Sequence, residues 1–158
     1  MKTGLYMGSF DPFTNGHFEI VKQSCMLFDK VIICIGINEK KQRRFDKEFM
    51  QEAIKDLMQE EGLLNVDVCI FDGLAIDKAK ESNAMYLVRG IRNSNDYNYE
   101  EEIAKINEKL GGIKTIYLRG GELDYVSSSL VRVLMDNHKP FSNLVPKTIL
   151  KTFNMNIK

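Results

Sequence analysis

The sequence has no excess charge of either sign, because 22 lysines and arginines balance 22 aspartates and glutamates. Such a chain lacks the positive field typical of nucleic-acid-binding proteins, so any anion site must be local. No apolar run approaches the roughly 18 residues of a membrane-spanning helix, and we expect no membrane partner. The N-terminus enters an apolar strand without a signal-peptide pattern, which predicts a cytoplasmic protein.

Cysteine and histidine are scarce and scattered. Cys25, Cys34 and Cys69 are odd in number, form no C-x-x-C pair and lie in apolar runs. This pattern predicts buried free thiols in a reducing compartment. The two histidines, His17 and His138, belong to no cluster of metal-ligating side chains. We therefore expect no zinc site and no metal held by the chain itself.

The length of 158 residues suits one domain that includes the whole chain. Short apolar runs alternate with helical patterns, which predicts an α/β, Rossmann-like fold: a five-stranded parallel sheet with helices on both faces. A short terminal helix should begin at about residue 146. Ligands of such sheets bind at the carboxyl ends of the strands. The expected strands lie near residues 5–7, 31–37, 66–71, 85–88 and 113–118, and the expected helices near 17–28, 47–60, 74–81, 97–110 and 128–137.

A ten-residue loop, G-S-F-D-P-F-T-N-G-H at residues 8–17, joins the first apolar run to the first helical pattern. The free N–H groups of a helix's first turn attract anions, so we expect a phosphate-handling loop here. Two glycines let the backbone approach a ligand, and His17 supplies a neutral or protonated donor. The alternative is an ordinary strand-to-helix turn capped by Thr14 or Asn15.

A second anion site is expected at V-S-S-S, residues 126–129, which precedes an apolar stripe with helical spacing. The serines fall at a helix N-terminus, where backbone N–H groups converge. Ser127 alone would be a plain N-cap, which needs one hydroxyl, but Ser128 and Ser129 add further donors. Together with the first loop, this favours an anion site.

Two cationic segments lie between these loops. R-G-I-R at residues 89–92 follows an apolar run and predicts a tight bend flanked by arginines at the end of a strand. Such arginines bind phosphate oxygens through bidentate hydrogen bonds, and a solvated salt-bridge loop is the alternative. The basic run at residues 40–44 is either a solvated loop or a cationic lid over an anionic substrate.

These motifs together resemble the nucleotidyltransferase superfamily, whose members share a T-x-G-H or H-x-G-H loop and an I-S-S-S/T motif. R-G-I-R followed by D-Y-N-Y-E at residues 96–100 narrows the resemblance to the bacterial phosphopantetheine adenylyltransferases. The match in order and spacing runs from about residue 4 to 150. It implies transfer of AMP from ATP to 4′-phosphopantetheine, which gives dephospho-coenzyme A and pyrophosphate in coenzyme A biosynthesis.

The resemblance also implies roles for individual residues. Lys41 and Arg89 would contact the phosphate of phosphopantetheine, while Arg92 would hold the β- and γ-phosphates of ATP beside the serines. Only Lys41 of the basic run matches a family position, so we expect Arg43→Ala to be nearly silent. The implied catalytic residues are Ser9, His17, Lys41 and Arg92. The implied ATP contacts are Ser9, Phe10, His17, Gly90, Ile91, Arg92, Tyr99, Glu100, Ser127, Ser128 and Ser129. The implied substrate contacts are Ser9, Lys41, Leu74, Ala75, Arg89 and Asn107.

The chain departs from the family pattern at several positions. Met7 stands where the family usually has proline, and Ser9, which keeps the hydroxyl, stands where it usually has threonine. Met50 replaces a usual arginine, which puts an ion pair in doubt but not the reaction. Leu123 replaces an aromatic side chain, so the affinity for nucleotide or feedback inhibitor is expected to differ.

The acceptor's chemistry predicts the mechanism. A phosphate monoester is largely dianionic at neutral pH because its second pKa is about 6, so direct in-line attack needs neither a general base nor a covalent intermediate. The sequence accordingly offers cationic and hydroxyl donors rather than an evident Ser-His-Asp set. Mg²⁺ would screen the ATP charges, held mainly by phosphate oxygens and water. The resemblance also implies a homohexamer, with coenzyme A as a feedback inhibitor.

Other functions stay open on the sequence. A cytidylyltransferase or a nicotinamide-nucleotide adenylyltransferase uses the same two loops, although residues 89–100 argue against both. A non-catalytic nucleotide-binding module is a second alternative, against which the intact His17, Lys41 and Arg92 count. A nucleic-acid binder is a third, and the balanced charge argues against it.

Overall fold

Five parallel strands form the sheet, in the spatial order β3-β2-β1-β4-β5. The computed structural model of the protein describes residues 1–153. The chain builds β2 and β3 on one side of β1 and then returns to place β4 on the other side, so the switch point lies between β1 and β4. The strands are β1 (Thr3–Gly8), β2 (Lys30–Gly36), β3 (Val66–Phe71), β4 (Tyr86–Ile91) and β5 (Lys114–Arg119).

Helices cover both faces of this sheet. One apolar cluster joins β2 and α1 to α2, α5 and α6, and a second joins the opposite face to α3. Side chains alternate between these clusters along β2: Ile33 faces the first, whereas Ile32 and Cys34 face the second. Burial on both faces explains the continuous apolar runs. The helices are α1 (Asn15–Leu27), α2 (Lys47–Glu60), α3 (Ala75–Glu81), α4 (Ser94–Gly111), α5 (Ser128–Asp136) and α6 (Lys147–Leu150).

The predicted Rossmann-like architecture is confirmed, with two local corrections. The R-G-I-R segment is not a tight bend, because Gly90 and Ile91 continue β4 and pair with Leu118 and Arg119 of β5. Helix α4 begins three residues earlier than expected, where the Asn93 side chain caps it by accepting the Asp96 N–H.

Predictions near the C-terminus and for the cysteines have mixed outcomes. The terminal helix starts just after Pro146, but the predicted domain of residues 1–158 includes five last positions outside the described residues. All three cysteines are free thiols, yet only Cys34 is buried. Cys69 is half-buried because β3 is an edge strand.

Within residues 1–153, no helix is both long and apolar enough to span a membrane.

Strands β1 and β4 separate toward their carboxyl ends. Their register pairs only Gly4 with Tyr86 and Leu5 with Leu87. Beyond these pairs the two strands no longer share backbone partners, and a cavity opens between them, bordered by β1 as far as Gly8. The fold therefore places an opening at the switch point, where α/β sheets bind ligands.

Candidate active site

The cavity at the switch point has a volume of about 380 Å³ and gathers most of the residues predicted from sequence. Loops from β1, β2, β4 and β5 reach it from separate parts of the chain. The predicted residues that line it are Ser9, Phe10, His17, Lys41, Arg89, Gly90, Ile91, Arg92, Glu100, Ser127, Ser128 and Ser129. Four predicted residues are absent from its lining: Leu74, Ala75, Tyr99 and Asn107.

The two predicted anion loops pack directly against each other. A Cβ placed on Gly16 would lie 2.9 Å from the Val126 carbonyl oxygen, so only glycine lets α1 begin this close to the serine segment. The Ser128 hydroxyl donates to the Pro12 carbonyl at 2.7 Å. The Ser127 hydroxyl caps α5 by accepting the N–H of Leu130. Two helix N-termini therefore border one cavity, which favours bound anions.

His17 is a neutral hydrogen-bond donor in this cavity. The Thr14 backbone N–H donates to its Nδ1 at 3.0 Å, which leaves the ring proton of the neutral form on Nε2. Burial, followed by the positive charges of Arg89 and Arg92, lowers the pKa of His17 to about 3. Of the two protonation states left open by the sequence, the structure selects the neutral one.

Arg89 is held in a fixed orientation. Its Nε and Nη2 donate to the two carboxylate oxygens of Glu100, each at 2.8 Å, and its Nη1 donates to the Met7 carbonyl. Glu100 is only 8% exposed. Burial disfavours the charged arginine, but the hydrogen bonds and charge of Glu100 outweigh it and raise the pKa of Arg89. The family resemblance gave Glu100 to the nucleotide, whereas here it orients Arg89.

Arg92 is paired with Asp96, and this pair is more exposed than that of Arg89 with Glu100. The Arg92 Nε donates to Asp96 Oδ2 at 2.9 Å, and the backbone N–H of Arg92 donates to the same oxygen at 3.1 Å. A hydrogen bond from Arg92 lowers the pKa of Asp96. Because the Arg92 side chain stays 43% exposed at the cavity, it can exchange partners with an incoming anion.

The basic run divides into two functions. Lys41 lines the cavity, and its ammonium has no ion-pair partner among the described residues. Arg43 instead holds the first loop in place, since its guanidinium donates to the carbonyls of Ser9 at 2.5 Å and Phe45 at 3.0 Å. It also lies 3.8 Å from the Asp11 carboxylate. The expectation that Arg43→Ala is nearly silent therefore conflicts with the structure.

Arg132 and Tyr6 are among the cavity residues that the sequence analysis missed. Arg132 donates to the Asp11 carbonyl at 2.6 Å and to the Ser129 hydroxyl at 3.2 Å. Its position one helical turn after the serines is a signal that could have revealed it. Tyr6 is 5% exposed and lines the cavity, and its hydroxyl has no hydrogen-bond partner within residues 1–153. That hydroxyl is available to a ligand.

The structure shows the environment of three residues at which the chain departs from the family pattern: Met50, Met7 and Leu123. Met50 is fully buried in the apolar cluster around α2, so its environment has no need of an arginine's charge. Met7 and Leu123 both line the cavity. The Met7 backbone carbonyl accepts from Arg89, which a change of side chain leaves intact.

Comparison with protein families agrees with this geometry. The cytidylyltransferase-like family model matches residues 5–134, a span that includes both anion loops. The match places the chain among the nucleotidyltransferases. A solved structure from Vibrio parahaemolyticus, described as a nicotinate-nucleotide adenylyltransferase, superposes with a TM-score of 0.65. That superposition covers 98% of this chain and 99% of that one at 14% identity, which shows a shared fold.

Curated relatives narrow the class. The phosphopantetheine adenylyltransferase of Bacteroides fragilis is 43% identical over 93% of this chain and 97% of its own length. That of Flavobacterium psychrophilum is 39% identical over 94% of this chain and 98% of its own length. The chain belongs to the phosphopantetheine adenylyltransferase family.

Loss of the Arg43 clamp should impair both folding and catalysis. We expect Arg43→Ala to lower the free energy of unfolding by about 1–3 kcal/mol, because the carbonyls of Ser9 and Phe45 lose a charged hydrogen-bond donor and the Asp11 carboxylate loses a nearby positive charge. Urea unfolding and steady-state kinetics measure the two effects. Lys40→Ala is the matched control, since Lys40 is exposed in the same loop. Equal behaviour of the two variants would contradict the clamp.

The neutral state of His17 predicts a pH dependence of stability. An unfolded histidine binds a proton near pH 6.5, whereas folded His17 binds one only near a pKa of about 3, so stability falls as the pH drops below about 6.5. We expect His17→Asn to flatten the pH dependence of the unfolding free energy between about pH 5 and 6.5, by up to about 1.4 kcal/mol per unit. Urea unfolding at several pH values measures it. His138→Asn, at an exposed position, should keep the wild-type slope, and a His17→Asn slope equal to it contradicts the assignment.

Proposed function

We propose that this chain transfers AMP from ATP to 4′-phosphopantetheine by direct in-line attack, releasing pyrophosphate and forming dephospho-coenzyme A. Family membership supports the overall reaction. The observation that carries the mechanism is the switch-point cavity, where two helix N-termini and the cationic residues Lys41, Arg89 and Arg92 face the same space. Such a site brings two anions together and stabilises charge on the transferring phosphoryl group.

The nucleotide phosphates would lie against the two helix N-termini. There the Nε2–H of His17 and the hydroxyls of Ser9 and Ser129 are donors, while Arg92 supplies positive charge. Arg132, already bonded to Ser129, extends this set. Donors fixed before the substrate arrives need little reorganisation as charge develops on the leaving pyrophosphate.

The acceptor phosphate would enter between Lys41 and Arg89. Its dianion carries its own lone pairs, so no residue has to remove a proton. His17 suits this scheme as a donor and not as a base, since its Nδ1 is occupied by the Thr14 N–H and its pKa is about 3. The bond from the acceptor oxygen to the α-phosphorus forms as the bond to pyrophosphate breaks.

Mg²⁺ would enter with ATP. No group of three or more His, Cys, Asp and Glu side chains in residues 1–153 is arranged to hold a metal ion. The cavity carboxylates are already engaged, Glu100 with Arg89, Asp96 with Arg92, and Asp124 with the Gly120 N–H at 2.8 Å. This donor set suits a metal bound by phosphate oxygens and water, where it neutralises the triphosphate charge.

Several finer assignments are also proposals. Leu74 and Ala75, at the start of α3, and Asn107 on α4 would contact the pantetheine arm beyond the cavity, and Tyr99 would contact the nucleotide. Coenzyme A would act as a feedback inhibitor because it contains the product's phosphates and arm. The free thiols support a reducing, cytoplasmic location.

A homohexamer is proposed from an unpartnered apolar stripe on α4. Four side chains at spacings of four, three and four residues point outward, with exposures of 66% for Tyr99, 37% for Ile103, 56% for Ile106 and 63% for Leu110. Their spacing places them on one helix face. The exposure of this stripe supports assembly, because contact between protomers would bury it, and the number six rests on the family resemblance.

The substrate assignment is tested by pyrophosphate release with ATP and different acceptors. We expect turnover of phosphopantetheine but not of pantetheine, because pantetheine lacks the anionic nucleophile and leaves the Lys41 ammonium without an anionic partner. Lys41→Ala should lower kcat/KM for phosphopantetheine by about 10- to 100-fold, the loss of one charge-assisted hydrogen bond, while Lys40→Ala stays near wild type. Comparable turnover of pantetheine, or better turnover of nicotinamide mononucleotide, overturns the assignment. Nucleotide binding without turnover would favour a non-catalytic module.

The assembly proposal predicts that Ile106→Glu dissociates the hexamer, because a charge cannot be buried in an apolar interface without a large desolvation penalty. Light scattering of the purified protein reports the change in mass. Lys105→Glu, an exposed neighbour on α4 outside the stripe, should leave the hexamer intact. A wild-type protein that is already monomeric refutes the proposal.

A further inference from the structure

Two cysteines from different strands lie side by side on one face of the sheet. Cys34 of β2 and Cys69 of β3 are direct partners in the parallel register. Both belong to the apolar cluster beneath α3, so their side chains point to the same face. Neighbouring strands are about 4.8 Å apart, which is within the roughly 4.4–6.8 Å between Cα atoms that a disulfide spans.

The two thiols differ in environment. Cys34 is fully buried, whereas Cys69 is half-buried on an edge strand and is the accessible member of the pair. A hydrogen bond from Cys34 lowers the pKa of Cys69, as does the Lys78 ammonium, while burial and the Glu81 carboxylate oppose them. The same thiol hydrogen bond raises the pKa of Cys34. Cys69 is therefore the more nucleophilic thiol, and Cys34 is placed to react after it.

Neither thiol is used by the proposed reaction. Both lie outside the lining of the active-site cavity, and neither has a role in phosphate binding. The third cysteine, Cys25, is half-buried on α1 and packs against the other apolar cluster, on the opposite face of the sheet. It is a natural internal control for reactions that depend only on thiol exposure.

We propose that Cys34 and Cys69 form a redox-active dithiol, which low-molecular-weight disulfides oxidise to an intramolecular disulfide linking β2 and β3. The Cys69 thiolate attacks one sulfur of the small disulfide, forming a mixed disulfide and releasing one small thiolate. The Cys34 thiol then gives its proton to the small thiolate released in the first step, attacks the Cys69 sulfur and displaces the second small thiolate. The two protein thiols are oxidised, and the small disulfide is reduced to two thiols.

The test uses the full chain and glutathione disulfide as the oxidant. After incubation of the native protein, unreacted thiols are alkylated in denaturant and the products are mapped by mass spectrometry. We expect the wild-type protein to lose two of its three alkylatable thiols, with peptides containing Cys34 and Cys69 joined and Cys25 still alkylated. Dithiothreitol should restore all three.

Matched variants separate the two steps. Cys34→Ala should trap glutathione on Cys69 as a stable mixed disulfide, and Cys69→Ser, at the half-buried position, should abolish both the mixed and the internal disulfide. Cys25→Ser should react like the wild type. Retention of all three thiols in the wild-type protein, or modification of Cys25 as fast as Cys69, overturns the proposal. So does an internal link that involves Cys25.

Discussion

The active site depends on one buried carboxylate. Asp11, in the loop after β1, accepts the backbone N–H of Arg44 at 2.9 Å and that of Phe45 at 2.8 Å. Its backbone carbonyl accepts from Arg132 on α5. Three segments far apart in sequence thereby meet around one residue. Because a carboxylate at 7% exposure is destabilising unless its oxygens are paired, its hydrogen bonds hold the basic run against the loop, while the Asp11 carbonyl joins the same loop to α5.

This arrangement creates a positive site in a chain whose charges cancel overall. Arg89 and Arg92 are each oriented by a carboxylate before any substrate binds, Arg89 firmly by the buried Glu100 and the more exposed Arg92 by Asp96, a partner that it can exchange. Pairing reduces their net charge but removes the entropic penalty of ordering them, which is the principle of electrostatic preorganisation. Lys41, without an ion-pair partner in the described chain, keeps its full charge for the acceptor. His17 stays neutral because its burial, and then the positive charges of Arg89 and Arg92, lower its pKa.

The sequence predicted those features that depend on local pattern. Strands and helices followed from apolar periodicity, and the meeting of the suspected loops followed because the carboxyl ends of parallel strands share one edge of the sheet. The contacts of individual residues such as Phe10, Lys41 and Glu100 were implied only by the family resemblance. The sequence pattern did not predict contacts between side chains that lie far apart in the chain. The pairing of Arg89 with Glu100 depends on how α4 packs beside β4, and the Arg43 clamp depends on where the basic run folds back onto the first loop. The tautomer of His17 required the position of one backbone N–H.

A site built in this way sets the pH behaviour of the reaction through the substrate. His17 cannot gain a proton until the pH falls toward about 3, and Arg89 and Arg92 stay charged throughout the neutral range, since their pKa values are raised above an already high ordinary value. The acceptor phosphate, with a second pKa of about 6, is the group that changes charge near neutrality. Its dianion is both the better nucleophile and the better partner for Lys41 and Arg89. The charges of the protein's site residues therefore stay constant near neutral pH. The pH dependence of the attack comes from the ionisation of the acceptor phosphate.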